Sequence, residues 1–193
     1  MTDGPFLWYL NRSTGLVILV LLSASMVLGV LSLGGRPGGR VPRFVTQSLH
    51  RNLSLLAVVV LLVHISSAVA DTFVDIRWWQ ALVPVGATYE PLWLGLGTLS
   101  LDLIVVVVVT SLLRSRLGHS AWHVVHLVTW LAWALAIAHT VGIGTDVKGG
   151  TGWAVVPTIV CVAAVLGAAV LRVVRGPRSR TTMPALAPPR SVA

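Results

Sequence analysis

Five long apolar runs set the pattern of this chain, at residues 14–33, 49–70, 91–113, 121–141 and 153–174. Each exceeds the roughly 18 residues that suggest a membrane-crossing helix, and polar stretches rich in glycine or arginine separate them. The pattern predicts an all-α integral membrane protein, a five-helix transmembrane bundle. The first run is long, lacks a basic segment at its start and is followed by four more, so it reads as a span rather than a signal peptide. Residues 34–43 (GGRPGGRVPR) form a turn-rich loop that cannot continue a helix. Thr46 or Ser48 is the expected N-cap of the second span and Ser120 of the fourth, and Pro157 is expected to bend the fifth. Residues 1–13 read as a short outer lead, 14–174 as the membrane domain, and 175–193, rich in Arg and Pro, as a disordered cytoplasmic tail.

Composition agrees with this reading. Of 193 residues 55% are hydrophobic and 10% charged, and the mean hydropathy is +0.87. The single cysteine, Cys161, lies inside an apolar run, which excludes an intrachain disulfide and a CxxC metal or covalent-haem motif. The net charge of +8 comes from arginines at span ends and in the tail, a placement set by membrane topology rather than by nucleic acid. With the N-terminus outside and the C-terminus cytoplasmic, eleven of the fourteen basic residues fall inside, among them Arg36, Arg40, Arg43, Arg51, Arg114, Arg116, Arg172 and Arg175. The outer side keeps Arg12, Arg77 and Lys148 with Asp3, Asp71, Asp75, Glu90 and Asp146. The expected location is a bacterial plasma membrane. Trp78 and Trp79, in the long outer loop 71–90, are expected at headgroup level.

Four histidines stand out against the apolar runs. His50 and His64 lie 14 residues apart in the second span, about 21 Å along an ideal helix and about 40° apart in direction. His126 and His139 lie 13 apart in the fourth, about 19.5 Å along it. Both spans run from inside to outside, so His50 and His126 share the inner level and His64 and His139 the outer one. A haem iron takes axial ligands from opposite sides of its plane, which two parallel helices supply, and the four side chains are read as holding two stacked haems. Ser54, Ala57 and Ala68 lie near the His50 direction and leave room for a flat macrocycle. One detail opposes the reading: 13 residues turn an ideal helix by about 220°, so His139 is expected to point away from the His126 face unless the fourth span is irregular.

Other polar residues in the spans have simpler explanations. Asp102 is expected to be an interhelical hydrogen-bond partner, with proton handling as the alternative role. Trp130 and Trp133, between the two levels, are expected to pack. His119 and His123 sit at the inner edge, with His123 the substitute ligand should His126 not serve. Arg51 and Arg12 either pair with haem propionates or snorkel to headgroups.

The stretches LHRNLSLLAVVVLLVHI and VVHLVTWLAWALAIAHT, on two same-direction helices separated by one span, resemble the ferric reductase-like transmembrane domain. That superfamily includes NADPH oxidases, ferric-chelate reductases and the haem-binding membrane subunit of the bacterial methionine-sulfoxide reductase system. The resemblance implies an inner b-type haem on His50 and His126 and an outer one on His64 and His139. It departs from the family in having five spans rather than six and only a short segment after the last. No Gly-rich nucleotide loop is present, so the electron donor is expected to be a separate flavoprotein or a membrane quinol. Ferric chelates, oxygen or a redox protein are the expected outer acceptors, with the acidic loop 71–90 as docking surface. The competing expectation is a haem-free transporter or scaffold whose histidines pack or relay protons.

Overall fold

The computed structural model describes residues 6–33, 42–72 and 74–174. The expectations for residues 1–5, 34–41 and 175–193 lie outside the described residues, including those for Asp3, Arg36, Arg40, Arg175 and the tail. Every run expected to be a span is helical, no strand occurs among the described residues, and five helices are long and apolar enough to cross a membrane. The fold is that of a multi-pass membrane protein, an all-α five-helix bundle.

Helix α1 (Phe6–Leu33) starts eight residues before the apolar run, so residues 6–13 belong to the first helix rather than to a separate lead. Its polar residues are compatible with the helix because they satisfy themselves: Ser13 Oγ donates to Tyr9 O and Thr14 Oγ1 to Leu10 O. Helix α2 (Arg43–Ala70) starts at Pro42, whose extended backbone ends the loop, and Thr46 and Ser48 fall inside the helix instead of capping it. Helix α3 (Pro91–Leu112) carries proline at its first position, where the missing N–H costs nothing. Glu90 before it takes a left-handed φ of 41°.

The fourth span is two helices, α4 (His119–Leu127) and α5 (Thr129–Ile143), with Gly118 rather than Ser120 as N-cap. They join at Val128, whose amide bonds Val125 O at 3.0 Å, one residue short of α-helical pairing. Thr129 Oγ1 takes the carbonyl of His126 at 2.8 Å. A turn of this kind winds about 20° per residue more than an α-helix. After the short turn α6 (Thr145–Lys148), α7 (Gly152–Val174) completes the bundle with Pro157 inside it.

The helices form two antiparallel hairpins. Helix α2 packs on α1, and α4–α5 pack on α3. Helix α1 also packs on α7 and on α5, where the buried Trp133 donates its indole N–H to Ser23 Oγ at 2.9 Å. Trp133 is thus a packing residue, as expected. The loop 71–90 folds over the start of α3: Thr98 Oγ1 donates to Gln80 O at 2.7 Å, and Pro84 O lies directly over Gly95. Trp78 is exposed, and Trp79 packs against Gly86.

Candidate functional site

Three of the four histidines are seated in one way. His64 Nδ1 lies 3.0 Å from Asn11 O, His50 Nδ1 2.9 Å from Ser25 O, and His139 Nδ1 2.8 Å from Trp93 O. A carbonyl only accepts, so in each case Nδ1 carries the proton and the Nε2 lone pair of the neutral ring is left for another partner. Four residues beyond each acceptor stands a glycine. A Cβ at Gly15 would come 3.1 Å from the His64 ring, one at Gly29 3.5 Å from His50, and one at Gly97 2.5 Å from His139. The ring sits close against the bare backbone of the facing helix and bonds a carbonyl that the helix already uses for the glycine amide.

Neighbouring side chains brace these seats. Ser54 Oγ donates to His50 O at 2.8 Å, so the 2.6 Å contact between Ser25 and Ser54 runs from the Ser25 hydroxyl to Ser54 Oγ. Asn11 Nδ2 donates to His64 O at 2.9 Å, and Ser67 Oγ donates to the same oxygen. Backbone-bonded Nδ1 with a free Nε2 is the arrangement of histidines that ligate metals, where the second bond fixes tautomer and ring direction. These glycines and carbonyls were not singled out in the sequence. The signal was present: Gly15 and Gly29 repeat the 14-residue spacing of His50 and His64 on the antiparallel partner.

His64 and His139 line one cavity of about 1100 Å³ between α1, α2, α3 and α5, above the size usual for a small-molecule site. The fourth span is thus irregular, the condition under which His139 is expected to escape the mismatch of about 220°. The overwound turn at Val128 rotates α5 relative to α4 in the sense that reduces the 220° mismatch. Ala68 lines this cavity, while Ala57 is buried in packing. At its mouth Arg12 forms a salt bridge with Asp146 and lies 4.0 Å over the Trp8 ring. Arg12 thus pairs within the chain.

At the other level His50 and His126 face each other with ring centroids 6.2 Å apart and planes at 71°. Trp122 stacks on His126 at 5.0 Å, and Arg114 lies 5.5 Å over Trp122. His126 differs from the other three: its Nδ1 is buried with no hydrogen-bond partner among the described residues, as are Ser111 Oγ and Trp122 Nε1. His123 is exposed and stacks on His119, so His126 is the residue that meets His50. Trp130 is half-buried and Arg51 exposed. Asp102 departs from expectation, since it makes no hydrogen bond or ion pair with any described residue. No group of three or more His, Cys, Asp or Glu residues placed to hold a metal ion gathers among the described residues.

Residues 6–146, from α1 through the α6 turn and including all four histidines, match the family described as a domain of unknown function, DUF8596. The chain belongs to the DUF8596 family. No curated protein and no solved structure matches it. The family match ends before α7, so the two hairpins and all four histidines lie inside it, while Val147, Trp153 and Ala154, which also line the cavity, lie beyond it.

Proposed function

We propose that this protein is a transmembrane dihaem b-type cytochrome of ferric reductase-like type, with His50 and His126 as ligands at the inner level and His64 and His139 at the outer. The observation that carries the reading is the repeated seat: three imidazoles held by Nδ1–H on a helix carbonyl, each with Nε2 free, two of them lining a single large cavity. The inner pair adds a second support. Two metal–imidazole bonds of about 2 Å each, plus about 1 Å from nitrogen to ring centre on either side, give a centroid separation of about 6 Å. The 6.2 Å between His50 and His126 agrees with that separation.

His50, His126, His64 and His139 would hold the two haems, which would supply single-electron transfer between the levels. The chain's own residues orient the imidazoles and line the cavity with mostly apolar walls, with the Arg12–Asp146 pair among the lining residues. In this reading the N-terminus is outside, the membrane is a bacterial plasma membrane, and the donor is a separate flavoprotein or quinol. The acceptor, a ferric chelate, oxygen or a redox protein, meets the loop 71–90.

The test is a reduced-minus-oxidised spectrum and a haem count on purified protein. Two b-type haems per chain are expected, with one lost in His50→Ala or His126→Ala and the other in His64→Ala or His139→Ala. A purified, helical protein with no b-type spectrum would sink the reading and favour a haem-free transporter or scaffold.

A further inference from the structure

Asp102 is the twelfth of the 22 residues of α3, at the middle of an otherwise uncharged helix. It does not face the histidine-bearing side. Gly95, Thr98, Asp102, Val105 and Val109, spaced three and four apart, form one stripe of the helix, and Gly97 and Ser100 point elsewhere, to His139 and to Ala132 O. The upper part of this stripe is covered by the chain itself, with Pro84 O on Gly95 and Gln80 O accepting from Thr98. One turn further on, that cover ends. Val105 and Val109 are 50% and 46% exposed, and Asp102, between the covered and open parts, has no hydrogen-bonding or ionic partner among the described residues.

A carboxylate at the centre of a span that faces lipid is costly, and such residues pair with other polar groups inside the bilayer. The described residues offer no cation for it. Its described lysine and arginines lie at helix ends and in loops, and Arg12 and Lys148 already pair with Asp146 and Glu90. A second copy would bring only another Asp102 to the same depth, a like charge.

We propose that the open half of the α3 stripe is the docking face for a transmembrane helix of a different chain, one that carries a lysine or arginine at mid-bilayer depth and pairs it with Asp102. Charge complementarity selects this occupant. Val105 and Val109 supply the apolar surface on which the partner helix packs, and Asp102 fixes its depth and rotation. The proposal stands on the membrane fold alone and is independent of haem binding.

The test uses the full chain, fluorescently tagged at its C-terminus, in phosphatidylcholine vesicles with acceptor-labelled synthetic leucine–alanine helices of membrane-spanning length. One helix carries a central lysine, and its control carries a central leucine. Energy transfer is expected to show the lysine helix associating on the order of tenfold more tightly. In Asp102→Asn this preference is expected to vanish, with helicity and unfolding midpoint unchanged, and in Asp102→Glu to persist. Equal association of the two helices with the wild-type chain would overturn the proposal without need of any variant. So would a lysine preference that survives Asp102→Asn. Energy transfer between copies of the chain that Asp102→Asn abolishes would assign the face to a second copy instead.

Discussion

Replacing the three seat glycines by alanine should give a graded series whose order comes from the structure. At Gly97 the new Cβ would stand 2.5 Å from His139 Nδ1, 2.7 Å from Cε1 and 3.0 Å from Cγ, all atoms of one part-buried ring. The ring must retreat by about 1 Å to reach ordinary contact, which stretches the 2.8 Å bond to Trp93 O beyond hydrogen-bonding range. Overpacking costs about 1–3 kcal/mol and an orphaned buried donor about 1–3 more, while the higher helix propensity of alanine returns about 1. The net loss for Gly97→Ala is about 3 kcal/mol. At Gly29 the Cβ meets His50 Cε1 at 3.5 Å, ordinary contact, so Gly29→Ala should be neutral or stabilise by up to about 1 kcal/mol. Gly15→Ala, at 3.1 Å from His64, requires a shift of a few tenths of an ångström and should fall between them. The assay is unfolding of the purified protein in mixed micelles against SDS fraction, followed by circular dichroism. Gly97→Ala unfolding at the same SDS fraction as Gly29→Ala would refute the seat as the source of the tight fit.

Three further outcomes are expected from the same assay. Trp133→Phe leaves the buried Ser23 hydroxyl without its donor and should cost about 1–2 kcal/mol, whereas the double change with Ser23→Ala should cost less than the separate effects together. Asp146→Asn strips the counter-charge from the largely buried Arg12 and should cost about 2 kcal/mol, between the values for exposed and fully buried pairs. Glu90→Gly suits the left-handed φ of 41° and should be neutral or mildly stabilising, while Glu90→Val, a β-branched residue forced into that region, should be about 1–2 kcal/mol worse than the glycine variant.

The spans and the two histidine levels were legible because both depend on one-dimensional quantities, length of apolar run and rise per residue. Helix starts were less so. Thr46 and Ser48 have the chemistry of N-caps, but Pro42 ends the loop first, and the helix begins where its ring permits. The polar lead 6–13 hid a helical turn because its hydroxyls bond back to their own backbone. The facing of His139 is open in the sequence because an ideal 100° per residue does not hold through Val128, where the chain overwinds. A local 3₁₀ turn leaves no mark on hydropathy. A partner is expected for Asp102 because intramembrane carboxylates usually have one, and only the packing of α3 shows that no described residue provides it.

The first hairpin keeps one register and the second departs from it at His126, which moves the weak point of the site. On the first, the numbers of each histidine and its glycine sum to 79 for both pairs, 15 with 64 and 29 with 50; on the second, 97 with 139 gives 236. Stepping 14 residues along α3 from Gly97, as from Gly15 to Gly29 on α1, arrives at Ser111, one residue beyond the position that a sum of 236 would pair with His126. At that one position the glycine is replaced by a hydroxyl-bearing residue, and Ser111 Oγ and His126 Nδ1 are both buried without partners. The imidazole that spacing alone put in doubt, His139, is the one pressed closest to its glycine, while His126 lacks the seat. Ser111→Gly should therefore remove an unsatisfied buried hydroxyl, worth about 1–3 kcal/mol, at a helix-propensity cost of about 0.5. It also clears the α3 backbone for the His126 ring. A net gain of about 1 kcal/mol is expected in the SDS assay. Hydroxyl removal and helix propensity alone would make Ser111→Ala about 1 kcal/mol better still, so a Ser111→Gly variant that matches or exceeds Ser111→Ala is the mark of a ring seated on bare backbone. A Ser111→Gly variant less stable than Ser111→Ala would show that the fourth histidine is not built on the seat used by the other three.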